Sequence, residues 1–261
     1  MIEMLLINGS VIVLLMATLW LISIPLRDVS IVDPFWGTGF VVVAWLSFLN
    51  RLGDDWRSLL LALMTTIWGL RLSLYLLWRN WGHGEDRRYV EMREYRGNNF
   101  WWMSLFSVFL LQGLILLFVS LPLQAAAVHD LNTPLGLTDI VGLVLWGIGL
   151  LFETVGDWQL ARFKADPANK GRVMDRGLWR FTRHPNYFGD ICVWWGLYVV
   201  AFGAGGWWTV LSPAVMTFFL MRVSGVTLLE KTIVDRRPEY ADYIKRTNAL
   251  FPGPPRPKSS P

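Results

Sequence analysis

"MLLINGSVIVLLMATLWLISI", residues 4–24, contains no Asp, Glu, Lys or Arg. At 1.5 Å rise per residue, a helix of this length crosses about 30 Å of bilayer hydrocarbon. A second run, "LQGLILLFVSLPLQAAA" at 111–127, is equally free of charge. Only 17% of the chain is charged, against about 25% in a soluble domain, and those charges are clustered. The chain therefore reads as an all-α integral membrane protein. A secretory signal carries a basic stretch before its apolar core. Glu3 is the only charge ahead of this one, so the segment reads as a retained helix.

Seven membrane spans are predicted, roughly 4–24, 31–50, 57–79, 101–122, 138–161, 187–203 and 207–227. Twenty of the 24 Lys and Arg are Arg27 and those in 79–96, 162–183 and 231–258. The opposite loops hold only Arg51 and Arg57. Basic loops stay cytoplasmic, which predicts an N-terminus outside and a C-terminus inside. One membrane domain over 1–261 accounts for the chain, ending in a Pro-rich disordered tail at 253–261. Cys192 is the only cysteine, and His83, His129 and His184 are scattered. Neither a disulfide nor a metal centre of zinc spacing is expected. Membrane lipid is the expected partner, nucleic acid is not, and the protein is expected to be a monomer.

Ionisable groups inside spans must face a cavity or a partner, because lipid cannot solvate them. In "LLFETVGDWQLARFKADP" (150–167), Glu153, Asp157 and Lys164 fall on one helical stripe. In "WGLRLSLYLLWRNWGHGEDRRY" (68–89), Trp68, Arg71, Tyr75 and Arg79 share a face. Arg222 sits near the end of the last span. "SIVDPFWGTGF" (30–40) sets Asp33 at the mouth of the second, either as a helix cap before Pro34 or as a functional acid. In "RFTRHPNYFGDICVWW" (180–195), Asn186 and Asp190 are one turn apart at a helix start, just after Arg183 and His184. Helix N-termini favour anions. The preceding loop adds Lys170, Arg172, Arg176 and Arg180, enough charge for several phosphates. The glycine pairs at 37, 147 and 203 lack the third glycine of a dinucleotide fingerprint, so any such cofactor is held by helices and loops.

"GLWRFTRHPNYFGD" (177–190) and "LLEKTIVDRRPEYADYIKRTNALFP" (228–252) resemble the C-terminal part of the steroid 5α-reductase family, most of all its bacterial members. The resemblance implies seven helices in a bacterial inner membrane, with substrate-side helices in 1–135 and cofactor-binding helices and loops in 136–252, and NADPH-dependent reduction of the carbon–carbon double bond of a 3-oxo-Δ4 steroid or similar membrane-soluble enone. It implies that Asn186 and Asp190 line the nicotinamide end, with Asp157 near the adenine and Lys164 at the phosphates. Arg79 and Asn80 match an Asn–Arg pair loosely, and Arg222 matches an Arg of the last helix. Glu153, Arg172, Arg183, His184, Tyr187, Glu230, Tyr240 and Tyr243 complete the expected cofactor set. Animal members hold the steroid 3-oxo group with a Glu from helix two and a Tyr from helix three. Here Asp33 is the acid near the first position, Trp68 lies near the second, and Tyr75 is two turns on. Asp33, kept protonated by burial, is therefore the expected proton donor, supported by Tyr75 or Arg71. Trp20, Phe35, Trp36 and Trp68 are expected to wall a lipid-open cavity for a flat ligand.

The pattern Arg-His-Pro-x-Tyr-x-Gly and the tyrosines of "EYADY" also resemble isoprenylcysteine carboxyl methyltransferases, which use S-adenosylmethionine. Those enzymes tend to carry two adjacent Glu in the tail, whereas Glu230 is followed by Lys231. A lipid-binding or transport protein is a third reading, but the charge crowds one face and leaves no polar path across.

Overall fold

The computed structural model describes residues 1–51, 56–128, 134–223, 233, 237 and 239–256. It is helical throughout, with no strand among the described residues. Among the described residues, five helical runs are long and apolar enough to cross a membrane: Ile2–Leu26, Val29–Leu49, Trp56–Asn80, Arg87–Val119 and Leu137–Ala165. The chain divides into two compact units, one of Met1–Asp139 with Val200–Ser212, the other of Ile140–Val199 with Pro213–Pro261.

The first unit contains α1 (Ile2–Leu26), α2 (Val32–Leu49), α3 (Trp56–Asn80), α4 (Arg87–Arg96), α5 (Phe100–Ser104), α6 (Leu111–Val119) and α7 (Leu121–Val128). Its tightest pairing is α2 with α3, and glycine permits it. A Cβ on Gly69 would lie 2.8 Å from a Val41 methyl and within clashing range of the Gly37 carbonyl. The two backbones touch there, and Phe40 and Trp68 fill the space beside them, wholly buried, with ring centroids 5.8 Å apart.

A π-helical turn, Leu105–Leu110, joins α5 to α6 and packs on α1. Such a turn inserts an extra residue and rotates everything after it. The stretch 80–100, expected as a loop, is largely helix: Asp86 caps α4 by accepting from the Arg88 N–H at 2.9 Å. The helical run that holds the fourth span consequently begins with α4, ahead of the expected start of the span near residue 101.

Several buried polar groups inside this unit are paired across helices, as hydrocarbon favours. Asn8 donates to Ser47 at 2.9 Å and to Gln124 at 3.1 Å, joining α1, α2 and α7. Arg57, 5% exposed, grips Asp139, 3% exposed, through Nε at 2.7 Å and Nη2 at 2.9 Å. Breaking one side of a buried ion pair leaves the other charge stranded, at a cost of about 3–5 kcal/mol. Arg57→Met should therefore lower the melting temperature in detergent sharply, and Arg57→Met with Asp139→Leu should recover much of the loss. Equal destabilisation by the single and double variants would show that the pair contributes nothing beyond packing.

The second unit is built on α8 (Leu137–Ala165, whose first turn lies in the other unit) and α9 (Pro185–Gly203), with α10 (Leu211–Phe218) and α11 (Glu239–Arg246). Glycines at seven-residue spacing face each other: 142, 149 and 156 on α8, 189 and 196 on α9. A Cβ on Gly149 would lie 2.5 Å from the Gly189 carbonyl and 2.6 Å from the Val193 nitrogen. Small residues let membrane helices approach this closely. α9 spans 19 residues but begins with "PNYFGD", and that polar first turn keeps it out of the five runs. The last expected span is described only as α10 and a π turn to Val223, and its remainder lies outside the described residues.

The first residues of the expected disordered tail are hydrogen-bonded, and residues 257–261 lie outside the described residues. The Gly253 N–H donates to the Phe181 carbonyl at 3.0 Å and the Arg256 N–H to the Arg246 carbonyl at 2.8 Å. Residues 253–256 are thus tied back onto folded chain.

Candidate functional site

In the first unit, the first turn of α2 and the first turn of α4 meet at Asp33. No side chain caps α2, so Asp33 is not a cap. Its Oδ1 accepts from the Tyr89 hydroxyl at 2.8 Å and its Oδ2 from Arg88 Nη2 at 2.8 Å. The Asp33 side chain is 14% exposed and that of Arg88 53%. Arg88 also donates through Nε to Asp86 at 2.9 Å. Burial pushes the Asp86 carboxyl up, but the side-chain and backbone hydrogen bonds from Arg88 outweigh it and hold Asp86 below the ordinary carboxylate range.

On the far side of Tyr89, Gln112 of α6 donates to the phenol oxygen at 3.0 Å. The Trp36 indole N–H in turn donates to the Gln112 carbonyl. Five side chains from α2, α4 and α6 thus form one connected chain. Two donors converge on Asp33, so it acts as an acceptor here, and the phenol next to it is the group with a proton to give. Asp33, expected as the proton donor, accepts from both Tyr89 and Arg88 in the structure.

The other residues expected at this site stand on α1, α2 and α3 of the same unit. Tyr75 is stacked within α3, with the Arg71 guanidinium 5.5 Å and the Arg79 guanidinium 5.9 Å from its ring centre. Arg79 also donates to Asn80 at 3.1 Å. Trp20 donates its indole N–H to the Trp101 carbonyl at 2.7 Å and stacks on that ring. Phe35 is half-buried near Gly39. Trp68 is wholly buried against Phe40 and belongs to the core.

In the second unit, α8 carries Glu153 and Asp157, 3% and 5% exposed. Asn186, one residue into α9, donates to Asp157 Oδ1 at 3.2 Å. The glycine contacts set this meeting, because Gly156 lies against Pro185 and Gly189 against the Glu153 backbone. Asp190 follows one turn after Asn186, half-buried. His184 and Tyr187 stack in parallel, with centroids 5.3 Å apart.

Arg183 was expected at a cofactor but is committed to the fold. It is 7% exposed and donates to the carbonyls of Ile244 and Thr247 at the end of α11. Thr182 reaches the Leu250 carbonyl at 2.7 Å, and the buried Tyr243 hydroxyl donates to the Trp179 carbonyl. Burial raises the Tyr243 hydroxyl above its ordinary value, so it stays a neutral donor. These bonds fasten the tail to the segment before α9, and Tyr240 stacks edge-on against Tyr243.

Two adjoining cavities flank the last turns of α8. One of about 280 Å³ is lined by Lys164, Lys170, Asn169 and Arg237 over Leu160 and Phe163. The other, about 320 Å³, is lined by Trp158, Gln159, Arg162 and Arg176. The Arg162 guanidinium lies 5.6 Å from the Trp158 ring centre, a flat, cationic surface. Arg172 is exposed, and its carbonyl accepts from Arg237 at 2.7 Å. Arg222 is exposed in the π turn after α10. Glu230 lies outside the described residues.

Sequence reasoning missed Arg88, Tyr89 and Gln112. Gln112 carried a signal, since an amide inside the apolar run "FLLQGLILL" (109–117) is expensive in lipid and needs a partner. Tyr89 gave none, because its partner is 56 residues away.

The family described as "Protein of unknown function (DUF1295)" matches residues 19–247. That family includes steroid 5-alpha-reductase-like membrane proteins. An uncharacterized protein of Schizosaccharomyces pombe is 26% identical over 269 residues, covering 90% of this chain and 75% of the relative. No solved structure matches the chain.

Proposed function

The chain belongs to the DUF1295 family, and from that premise we propose that it is an NADPH-dependent reductase of the carbon–carbon double bond of a membrane-soluble enone such as a 3-oxo-Δ4 steroid. The observation that carries this reading is the hydrogen bond from Tyr89 to Asp33, a phenol and a carboxylate joined in a membrane-embedded unit. Reduction at the β carbon of an enone builds negative charge on the ketone oxygen, and a donor placed at that oxygen lowers the barrier. Tyr89 is that donor. The orientation with seven spans and a cytoplasmic C-terminus, set by the basic loops, belongs to the same proposal.

The residues of the second unit fit the cofactor. Asn186 has an amide for a carboxamide, Asp157, expected near the adenine, is hydrogen-bonded to Asn186 and so belongs to that same end, and the two cavities offer cations for phosphates beside an exposed indole for a base. When bound, NADPH supplies the hydride. Asn186, Asp157 and Asp190 would orient its carboxamide, and Lys164, Lys170 and Arg237 would hold its phosphates.

A melting-temperature screen tests the assignment. NADPH should raise the melting temperature more than NADH, because the extra phosphate meets a basic cavity. Lys164→Ala should narrow that gap. S-adenosylmethionine should leave the melting temperature unchanged. Stabilisation by S-adenosylmethionine and not by NADPH would replace this reading with the methyltransferase one.

A further inference from the structure

The chain of side chains around Tyr89 has a direction. The Trp36 indole can only donate, so the Gln112 atom facing it must be the amide oxygen. The Gln112 NH₂ group then faces Tyr89, whose oxygen must accept. That leaves the single Tyr89 proton pointing at Asp33. At the other end Arg88, again donor only, occupies the second oxygen of Asp33. Two groups that can only donate therefore fix every bond between them.

We infer that Gln112 and Trp36 are positioning residues that keep the Tyr89 proton on the Asp33 side, where a ketone oxygen has only Asp33 to compete with. The inference rests on the reading of Tyr89 as the donor and adds what aims it. A free Gln112 amide could flip and take the Tyr89 proton on its own oxygen, where it would be lost to the reaction. Trp36, expected from sequence as a flat wall for substrate, acts instead through Gln112.

Gln112→Glu gives the sharpest test, because a neutral glutamic acid can copy the amide's pattern of one donor and one acceptor, whereas the carboxylate can only accept. The ionised form reverses the bond and draws the Tyr89 proton away from Asp33. The titratable and charged groups around Asp33 and Tyr89 are Arg79 on α3, Asp86 before α4 and Arg88 on α4. Wild type at the same pH controls for their titration.

In the purified full-length protein, 3-fluorotyrosine at position 89 would be followed by fluorine NMR across a pH series. The Gln112→Glu signal should differ from wild type at neutral pH and return toward it on acidification. Gln112→Leu and Trp36→Phe should each move the signal at every pH, with no recovery. In turnover, Gln112→Glu should lose about tenfold in kcat at neutral pH and regain it in acid, with KM for NADPH unchanged. A Tyr89 signal unaffected by Gln112→Leu and Trp36→Phe would overturn the inference. So would a Gln112→Glu signal that shows no pH dependence beyond wild type. The fluorine signals responding as expected, with no enone reduced by any form of the protein, would uphold the positioning and remove the reductase reading.

Discussion

Tyr89→Phe is expected to lose about 100-fold or more in turnover of a 3-oxo-Δ4 enone while binding NADPH as wild type does. The substitution removes one hydroxyl and keeps the ring, so the packing of α4 against its neighbours is preserved. What disappears is the donor for the ketone oxygen, and with it the acceptor for Gln112. Asp33 should matter less directly. Asp33→Asn keeps an oxygen that can accept from Tyr89, whereas Asp33→Ala removes it and leaves Arg88 without one of its two carboxylates. Turnover should therefore fall further in Ala than in Asn. Tyr75→Phe is the control, since Tyr75 is stacked between Arg71 and Arg79. Full turnover in Tyr89→Phe with loss in Tyr75→Phe would return the donor role to α3.

The second large effect is on folding. Gly149→Val should cost about 3 kcal/mol or more and leave little monodisperse protein in detergent. Its side chain would meet the Gly189 carbonyl and the Val193 nitrogen, and backbone atoms cannot turn aside as a side chain can. Separating α8 from α9 would also part Asn186 from Asp157, so any surviving protein should bind NADPH poorly. Gly147→Ala is the matched control on the same helix, because a Cβ there meets nothing within 4 Å. It should be neutral or stabilising by up to about 1 kcal/mol, alanine being the better helix former. Size-exclusion chromatography and melting curves read both variants. Normal folding of Gly149→Val would mean that the close approach is not required.

The sequence was read well where a residue's environment follows from its neighbours in the chain. Long uncharged runs must be helical and buried in lipid, because no other arrangement satisfies their backbone. Four of the five crossing helices accordingly lie within about five residues of their expected limits. The stripe of Glu153 and Asp157 was legible for the same reason, since helical spacing alone puts them on one face. Where the helical run holding the fourth span begins was not. Its start depends on Asp86 capping α4, and Arg88 ties that cap to Asp33, which is far away in sequence.

Arg183 and Tyr89 show the limit from opposite sides. Arg183 stands in a motif full of cations, and nothing local says that its guanidinium will be consumed by carbonyls some sixty residues on. Tyr89 stands in a charged surface helix, and nothing local says that it will turn inward. Tyr75, chosen by spacing, lies on α3 beside two arginines of its own helix. The sequence by itself determined that this is a helical membrane protein with costly polar groups that must find partners. Only the tertiary structure decided which partners, because that depends on how helices cross. The crossings are set by backbone contacts at Gly37 with Gly69 and Gly149 with Gly189, and by the π turn ahead of Gln112. A rotation of one residue there would turn each side chain away from its partner.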